Sequence, residues 1–541
     1  MTATLERRSA VLDSEHVGDI RGALGTIRLD DTSSRRGRSA YLKTLLAIIG
    51  PGLIVMVGDN DAGAFATYGQ AGQDYGTRLL WTLLLLVPVL YVNQEMVLRL
   101  GAVTGVGHAR LILERFGKFW GAFSVIDLFI LNALTIITEF IGITLAAGYL
   151  GVPKILAVAL AAMVIIGAAF TGSFRRFERM AIGLCVGSLL LVPLYFLAHP
   201  AASQMARGFV TPTLPGGSGQ LATVMLLVIG IVGTTVAPWQ LFFQQSYVID
   251  KRITPRFIRY EKADLWIGIV VVVLGAGAIM GFTAAAFAGH HGDFKNAADL
   301  AVGLQAHAGR IAGVLFAVAL LDASIIGAFA VSLSTAYALG DVFGLKHSLH
   351  RGVKGAKGFY AIYGGVVLAA AAVVLIPGSP LGLLTEGVQA LAGVLLPSAA
   401  IYLLLLCNDR EVLGPWVNGR RTNLFTGTVV AVLVALSVIL TASVLDPGIT
   451  ARQIMIILAV CCGATAVGVL SVAAWRRHTG TLATAAVDRT GRENWRMPQL
   501  ALLNRPRVPL GRKIGMSILR SYLAIATVLV AVKIIQLALG H

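Results

Sequence analysis

The chain alternates long apolar runs with short polar and charged segments. A helix that crosses a membrane needs about 20 mostly apolar residues. Runs of this kind lie near 41–73, 79–98, 119–149, 153–171, 177–198, 219–249, 263–289, 308–343, 357–376, 380–407, 423–445, 451–475 and 517–538. The pattern predicts an all-α polytopic membrane protein with up to thirteen spans, of which the last two or three are the least distinct.

Composition agrees with this class. Hydrophobic residues make up 56% of the chain and charged residues 13%, whereas about a quarter of an average soluble domain is charged. A soluble multidomain protein is therefore excluded. The first 40 residues are polar and rich in arginine, and the first apolar run starts too late for a cleavable signal peptide.

The excess of basic residues gives an orientation. Lys and Arg number 44 against 27 acids, a formal charge of +17. With the N-terminus in the cytoplasm, 37 of the 44 fall on the cytoplasmic side, which is the bias expected of a membrane protein. We therefore expect a multi-pass plasma-membrane protein that binds no nucleic acid. The basic segment 476–516 has a charge that would also suit anionic lipid.

Two of the apolar runs are interrupted near their middle. Residues 50–64 read GPGLIVMVGDNDAGA, and residues 230–240 read GIVGTTVAPWQ. Transporter binding sites lie where membrane helices break at corresponding positions of two halves. Breaks in the first and sixth spans predict two five-helix repeats of opposite orientation, because an odd number of spans inverts the second copy.

The first interruption contains two acids, Asp59 and Asp61. An ionised Asp at bilayer depth costs at least about 2.5 kcal/mol, so such acids indicate a functional site. Two carboxylates together with backbone carbonyls freed by an unwound helix are ligands for a hard cation. The alternative is that the two acids cap the start of a half-helix or lie in a loop. For Thr234 and Thr235 the alternative is a hydrogen bond back to their own helix.

The boundaries predicted from these patterns divide the chain into six segments. They are a basic cytoplasmic tail (1–40), a first five-helix repeat (41–198) and a second, inverted five-helix repeat (199–407). Two additional helices (408–475), a basic cytoplasmic linker (476–516) and a final helix (517–541) follow.

At these positions the chain resembles the natural resistance-associated macrophage protein (NRAMP) family of divalent metal transporters, over residues 45–405. The motifs that carry the resemblance are Gly50-Pro51-Gly52, Asp61, Gly63, Leu79-Leu80-Trp81, Arg99-Leu100-Gly101, Thr104-Gly105, Thr138-Glu139-Phe140-Ile141-Gly142 and Pro238. The resemblance implies a LeuT-like core in which the two broken helices meet near the midplane. It also implies that Gln389 approaches the ion, for which the alternative is an interhelical hydrogen bond.

The departures from the family pattern concern the ion. The family has Met and His around the sixth-helix proline, where this chain has Ala237 and Trp239. A thioether favours transition metals, so its loss removes discrimination against hard cations. Asp59 adds a second hard ligand, and the small Ala64 widens the site. Mg²⁺ is usually bound with several waters, and the pattern resembles the NRAMP-related magnesium transporter branch.

The departures also concern proton coupling. The resemblance implicates a helix-three Asp, a Glu and the helix-six His in the proton route of coupled members. This chain keeps Glu139 but has Ile136 and Trp239 at the other two positions. Neither side chain can relay a proton, although Glu139 could still titrate alone.

The resulting hypothesis is Mg²⁺ uptake by alternating access, as a largely hydrated ion without proton coupling and with Mn²⁺ tolerated. The predicted partners are the divalent ion and the lipid bilayer, with no resident cofactor, no catalytic residue and an open oligomeric state. The predicted ion ligands are Asp59, Asp61, Gly58, Thr234, Ala237 and Gln389. The predicted pathway residues are Asn60, Ala64, Gln240, Gln244, Glu139 and Trp239.

Three alternatives remain open at the level of sequence. The first is a proton-coupled Mn²⁺ or Fe²⁺ symporter of the same family. The second is an amino-acid or organic-cation transporter, since this architecture serves many substrates. The third, a membrane enzyme or scaffold, is disfavoured because no nucleophile and base pair or cofactor motif is visible in the spans.

Overall fold

The computed structural model describes residues 13–33, 35, 37–215, 221–287, 296–377, 381–445, 449–478 and 488–504, and the single positions 517, 521, 528 and 532. Twenty α-helices carry these residues: α1 Arg38–Ile48, α2 Pro51–Val57, α3 Ala62–Tyr75, α4 Leu80–Thr104, α5 His108–Phe116, α6 Lys118–Tyr149, α7 Lys154–Phe170, α8 Phe174–Gly187, α9 Leu191–Ala198, α10 Ala202–Val210, α11 Leu221–Thr235, α12 Pro238–Asp250, α13 Ile258–Ala286, α14 Ala297–Ala308, α15 Arg310–Phe343, α16 Lys357–Val374, α17 Leu381–Cys407, α18 Arg410–Leu413, α19 Arg420–Leu445 and α20 Ala451–His478.

The predicted membrane spans correspond to helices throughout the described part of the chain. Nine helical segments there are long and apolar enough to cross a membrane, and α1 with α2, bent by 56°, would make a tenth. Two shorter apolar helices, Lys154–Phe170 and Arg452–Gly468, account for the fourth and twelfth predicted spans. The thirteenth, near 517–538, lies outside the described residues apart from four single positions.

The first broken segment begins at a strained turn. Gly50 has a φ of 153°, a conformation that favours glycine, and Pro51 opens α2 at a position where its missing N–H costs nothing. The Asp264 carboxylate accepts the amides of Gly52 (2.7 Å) and Leu53 (3.2 Å). It thereby satisfies donors that a helix start leaves unpaired.

The two predicted breaks are present. Residues 58–61 separate α2 from α3, and the amide of Asn60 donates to the Val57 carbonyl at 3.1 Å, which tightens the last turn of α2. Ala237, between α11 and α12, is extended at φ −86° and ψ 143°. A residue before proline is pushed out of the helical region, so Pro238 explains the second break.

The broken segments lie in the centre of the helix bundle. In Thr223–Asp250, which contains the second break, 94% of the most apolar stretch is buried. The first break packs closely against α6 and α15, since a Cβ at Gly142 would meet both Ala62 and Ser324. The bundle therefore encloses the breaks and shields them from lipid.

The N-terminal segment contains a feature that the sequence did not predict. Two short antiparallel strands, β1 Ile20–Arg21 and β2 Thr26–Ile27, pair Ile20 with Ile27 and Arg21 with Thr26. Residues 13–33, which we call the N-terminal hairpin segment, cover the end of the bundle at which α2 begins. Ile20 and Ile27 are buried there.

Polar contacts fasten this segment to loops and helix ends far along the chain. The amide of Ala23 donates to Glu178 at 2.6 Å, and Glu178 also accepts from Lys251 at 2.7 Å. Both of those charged side chains are fully buried. Arg351 forms an ion pair with Asp13 at 2.6 Å. Further contacts join Arg175 to Gly22 and Gly25, Arg179 to Ala23, Arg252 to Glu15 and Asp19, and Arg256 to Asp31 and Ser33.

Candidate metal-binding site

The break between α2 and α3 carries three consecutive polar side chains inside the bundle. Asp59, Asn60 and Asp61 are 1%, 3% and 4% exposed. Among the described residues, no Lys or Arg forms a salt bridge with either carboxyl group. A buried charge without a protein partner is costly, so the break has a net attraction for a cation.

Asp59 leaves one oxygen available. Its Oδ1 accepts a hydrogen bond from the Gln240 side-chain amide, whereas its Oδ2 is buried and has no hydrogen-bond partner in the described structure. Gln240 is held in turn by Gln94, which donates to the Gln240 Oε1 at 3.0 Å. Gln94 and Gln240 therefore orient Asp59 and leave its second oxygen free.

Asp61 has a structural role at the start of α3. It is the N-cap residue of α3, and its Oδ1 accepts the amide of Ala64 at 2.9 Å. The capping alternative raised from the sequence is therefore confirmed for Asp61. The cap uses only Oδ1, so the second oxygen, Oδ2, is left for other contacts.

Glu139 on α6 is fully buried beside the first break. Its Oε2 accepts the amide of Ala62 at 3.2 Å, and its Oε1 has no partner among the described residues. Gly327 on α15 makes room for it, because a Cβ there would collide with the Glu139 carboxyl group. Glu139, predicted as a pathway residue, thus lies next to the predicted ion ligand Asp61, on the amide of the following residue.

The two threonines of the second break differ. Thr235 donates back to the carbonyl of Ile231 at 2.5 Å and also bonds the Tyr68 hydroxyl at 2.7 Å. Thr234 is 2% exposed, and its Oγ1 has no partner within the described part of the chain. The back-bonding alternative is thus confirmed for Thr235, while Thr234 keeps a free oxygen.

Ala237 and Trp239 lie around the second break as the sequence anticipated. Ala237 is 6% exposed, and Trp239 is 1% exposed. A Cβ on Gly58 would lie 3.6 Å from the Trp239 ring, and the Trp239 carbonyl accepts from Ser334 at 2.9 Å. The indole therefore fills space against the end of α2 and supplies no ligand.

Gln389 on α17 lies against both breaks. Its amide occupies the space that a Cβ on Gly63 would need. Its backbone oxygen lies where a Cβ on Gly233 would be. The absence of side chains at Gly63 and Gly233 allows this approach, so the structure brings Gln389 to the start of α3 and the end of α11.

Several polar groups near α12 were not identified from the sequence. Among the groups there, only Gln244 was a predicted pathway residue. The side-chain nitrogen and oxygen of both Gln244 and Asn93 are buried and without partners in the described structure. The available signal was the adjacent Asn93 and Gln94 in the otherwise apolar run of α4. Tyr68 could not have been identified, because its partner Thr235 is 167 residues away.

The geometry does not form a compact metal cage. In the part of the chain that the structure describes, no group of three or more His, Cys, Asp and Glu side chains is placed to hold a metal ion. Carboxylate, hydroxyl and amide oxygens lie around the breaks instead. Oxygen donors of this kind suit a hard cation that keeps part of its hydration shell.

Comparison with known proteins identifies the family. The family model described as natural resistance-associated macrophage protein-like matches residues 52–443. The divalent metal cation transporter MntH of Ralstonia nicotianae is 31% identical over 408 residues, covering 72% of this chain and 89% of that protein. The protein of the same name from Deinococcus radiodurans is 30% identical over 433 residues, covering 75% and 91%.

A solved structure agrees at the level of the fold. The Eremococcus coleocola manganese transporter, in complex with an aromatic bis-isothiourea substituted compound, superposes with a TM-score of 0.63. The match is 19% identical and covers 82% of this chain and 96% of that chain. This likeness confirms the predicted all-α polytopic fold. The chain therefore belongs to the natural resistance-associated macrophage protein family and is a divalent metal cation transporter.

Proposed function

We propose that this transporter carries Mg²⁺ into the cell by alternating access, as a largely hydrated ion, with Mn²⁺ as a tolerated second substrate. The observation that carries the proposal is the donor set at the two breaks. Asp59, Asp61 and Thr234 offer oxygen atoms, and Ala237 stands where the family has a thioether. Hard oxygen donors without a soft ligand favour Mg²⁺ over the softer transition metals.

The proposed ligands are the carboxylates of Asp59 and Asp61, the backbone carbonyls of Gly58 and Thr234, and the amide of Gln389. Ala237 contributes space for water of hydration. The free Oδ2 of Asp59 would contact the ion or its hydration shell first. Asp61 would join through its Oδ2, because its Oδ1 caps α3.

The ion path would continue along α12. Gln240 bonds Asp59, and Gln244 lies one turn further with both polar atoms unpaired in the described structure. Asn60, Ala64, Glu139 and Trp239 would border the path. Buried amides without partners can form hydrogen bonds with the water around a passing ion, because a buried donor or acceptor that lacks a hydrogen bond is costly.

Transport without proton coupling is the second part of the proposal. Ile136 and Trp239 occupy the positions that the family resemblance assigns to proton relay, and neither side chain titrates. The membrane potential is worth about 2.3 kcal/mol per charge per 100 mV. A divalent cation entering a negative interior needs no further driving force.

A proton-coupled symporter is the second candidate, favoured by Glu139, a titratable carboxyl group buried beside Asp61. If Glu139 releases a proton when the ion binds, that proton must go elsewhere. Coupling requires that it cross the membrane together with the ion.

The experiment is influx into proteoliposomes with internal Mg²⁺ or Mn²⁺ and internal pH followed together. We expect Mg²⁺ entry, driven by a negative interior, without acidification. Absence of Mg²⁺ entry would overturn the substrate assignment. Acidification that scales with ion entry and is lost in Glu139→Gln would overturn the uncoupled mechanism and establish the second candidate.

A substitution tests the role of Ala237 in selectivity. Ala237→Met should restore a soft ligand and strengthen inhibition of Mg²⁺ influx by Cd²⁺, whereas Ala159→Met, at an exposed site on α7, should leave it unchanged. Competition curves in proteoliposomes measure this. Equal Cd²⁺ inhibition of both variants would show that residue 237 does not face the ion.

The basic-residue bias supports the proposed orientation, with the N-terminal hairpin segment in the cytoplasm of the host cell. Protease protection of an N-terminal tag in intact cells tests it. Cleavage of the tag by protease added outside the cells would show that the N-terminus is extracellular and would overturn the proposed orientation.

A further inference from the structure

A large apolar crevice lies beside the first break. It has a volume of about 470 Å³ and runs between α9, α10 and α13. Gly275, Gly277 and Ala278 form its wall on α13. Three small residues within four positions leave a groove where larger side chains would fill the space. This size falls within the range of ligand-binding pockets in proteins.

The short helix α10 covers the crevice at the end of the bundle opposite the N-terminal hairpin segment. Its side chains Ala202, Met205 and Phe209 line the crevice. Met205 lies against Gly281 and Phe209 against Gly277, at positions that a Cβ would contact. Because apolar side chains of α10 close this end, the crevice offers water little access from that side.

The remaining side of the crevice faces the membrane. Phe196 is 67% exposed, Leu274 66% and Leu189 56%, and all three line the crevice. Exposed apolar side chains on membrane-spanning helices face lipid. The crevice therefore opens sideways into the bilayer, between α9 and α13.

The inner end of the crevice reaches Asn60, the residue between the two carboxyl groups of the first break. The Asn60 amide nitrogen donates to the Val272 carbonyl at 3.2 Å. A separate cavity of about 10 Å³, the size of one water, is lined by Asn60, Ser188 and Asp322 among others. The amide thus has polar surroundings outside the crevice, while most of the crevice surface is hydrocarbon.

We propose that this crevice binds one acyl chain of a membrane phospholipid, from the leaflet opposite the N-terminal hairpin segment. Apolar cavities stay free of ordered water and accept hydrocarbon, and the opening between α9 and α13 faces the acyl region of the bilayer. A seated chain extends inward to Asn60. Lipid occupancy therefore contacts the broken helix without contacting the ion, and the proposal holds whichever ion is carried.

The test is photo-crosslinking in nanodiscs with a phosphatidylcholine that carries a diazirine near the end of one acyl chain. Peptide mapping should locate adducts in 189–196 and 271–278. Ala278→Phe fills the crevice and should cause a several-fold loss of these adducts. The matched control Ala159→Phe adds the same ring on the exposed face of α7 and should leave them at the wild-type level.

A second filling variant, Ala206→Phe, narrows the crevice from α10 and serves if Ala278→Phe does not fold. A several-fold loss of adducts in either folded variant, with retention in the control, supports the site. Adducts spread evenly over the lipid-facing helices, or unchanged in a folded filling variant, would overturn it.

Discussion

The free oxygen of Asp59 is the residue-scale feature on which ion binding depends. Gln240 engages one oxygen and Gln94 holds Gln240, so the second oxygen is presented in a fixed direction. The sequence identified Asp59 because an acid in an apolar run stands out. It could not identify Gln94 as the support, because that contact joins residues 146 positions apart.

Asp59→Asn removes the charge and retains an oxygen that can accept from Gln240. We expect Mg²⁺ influx efficiency to fall by about tenfold or more, the change that ~1.4 kcal/mol produces in a binding constant. Asp127→Asn, which removes another acid from a membrane helix, is the control and should transport normally. Proteoliposome influx at several Mg²⁺ concentrations measures both. Wild-type efficiency in Asp59→Asn would remove Asp59 from the ion site.

At the scale of elements, the helix breaks were predictable and their support was not. Pro238 interrupts a helix through a local backbone preference, the exclusion of the preceding residue from the helical region, which is readable from sequence. The close approach of α17 to both breaks depends on Gly63 and Gly233 lacking side chains. Such an approach becomes visible only when the three helices are placed together.

Gly63→Ala tests this approach. Alanine favours a helix by about 1 kcal/mol over glycine, so the variant should fold, but its Cβ takes the space of the Gln389 amide. We expect a strong loss of Mg²⁺ influx with unchanged thermal stability or a small gain. Gly365→Ala is the control, since no atom lies within 4 Å of a Cβ built there. Full influx in Gly63→Ala would show that Gln389 plays no part in transport.

At the scale of the whole molecule, the N-terminal hairpin segment ties distant loops together. Asp13 accepts from the amide of His347 at 3.0 Å and pairs with Arg351. His347 also pairs with Asp341 at 2.9 Å. From the sequence, residues 1–40 could be predicted only as a basic cytoplasmic tail, because strands of two residues show no hydrophobic periodicity. Partners later in the chain determine their conformation.

This end of the molecule should make stability depend on pH. Burial lowers the pKa of His347, but the attraction of Asp341 outweighs it and raises the pKa to about 9. A histidine ordinarily titrates near 6.5. The stabilisation is therefore complete below about pH 6.5 and is lost as pH rises through about 9.

We expect the melting temperature of the purified protein to fall between pH 7 and 9.5. His347→Gln should melt lower at pH 7 and lose less over this interval. His307→Gln, a control whose ring contacts the Ala198 carbonyl, should follow the wild-type slope. Differential scanning fluorimetry measures all three, and parallel slopes for wild type and His347→Gln would contradict the assignment.

The same segment has a consequence for biosynthesis. Asp13 and its partner Arg351 are 338 residues apart, and at about 5–20 residues per second the ribosome needs roughly 17–70 seconds to make the intervening chain. The N-terminal hairpin segment leaves the ribosome early and is thus among the last parts of the chain to reach its final contacts. A nascent chain that stalls before residue 351 lacks these partners, however many of its helices have already entered the membrane.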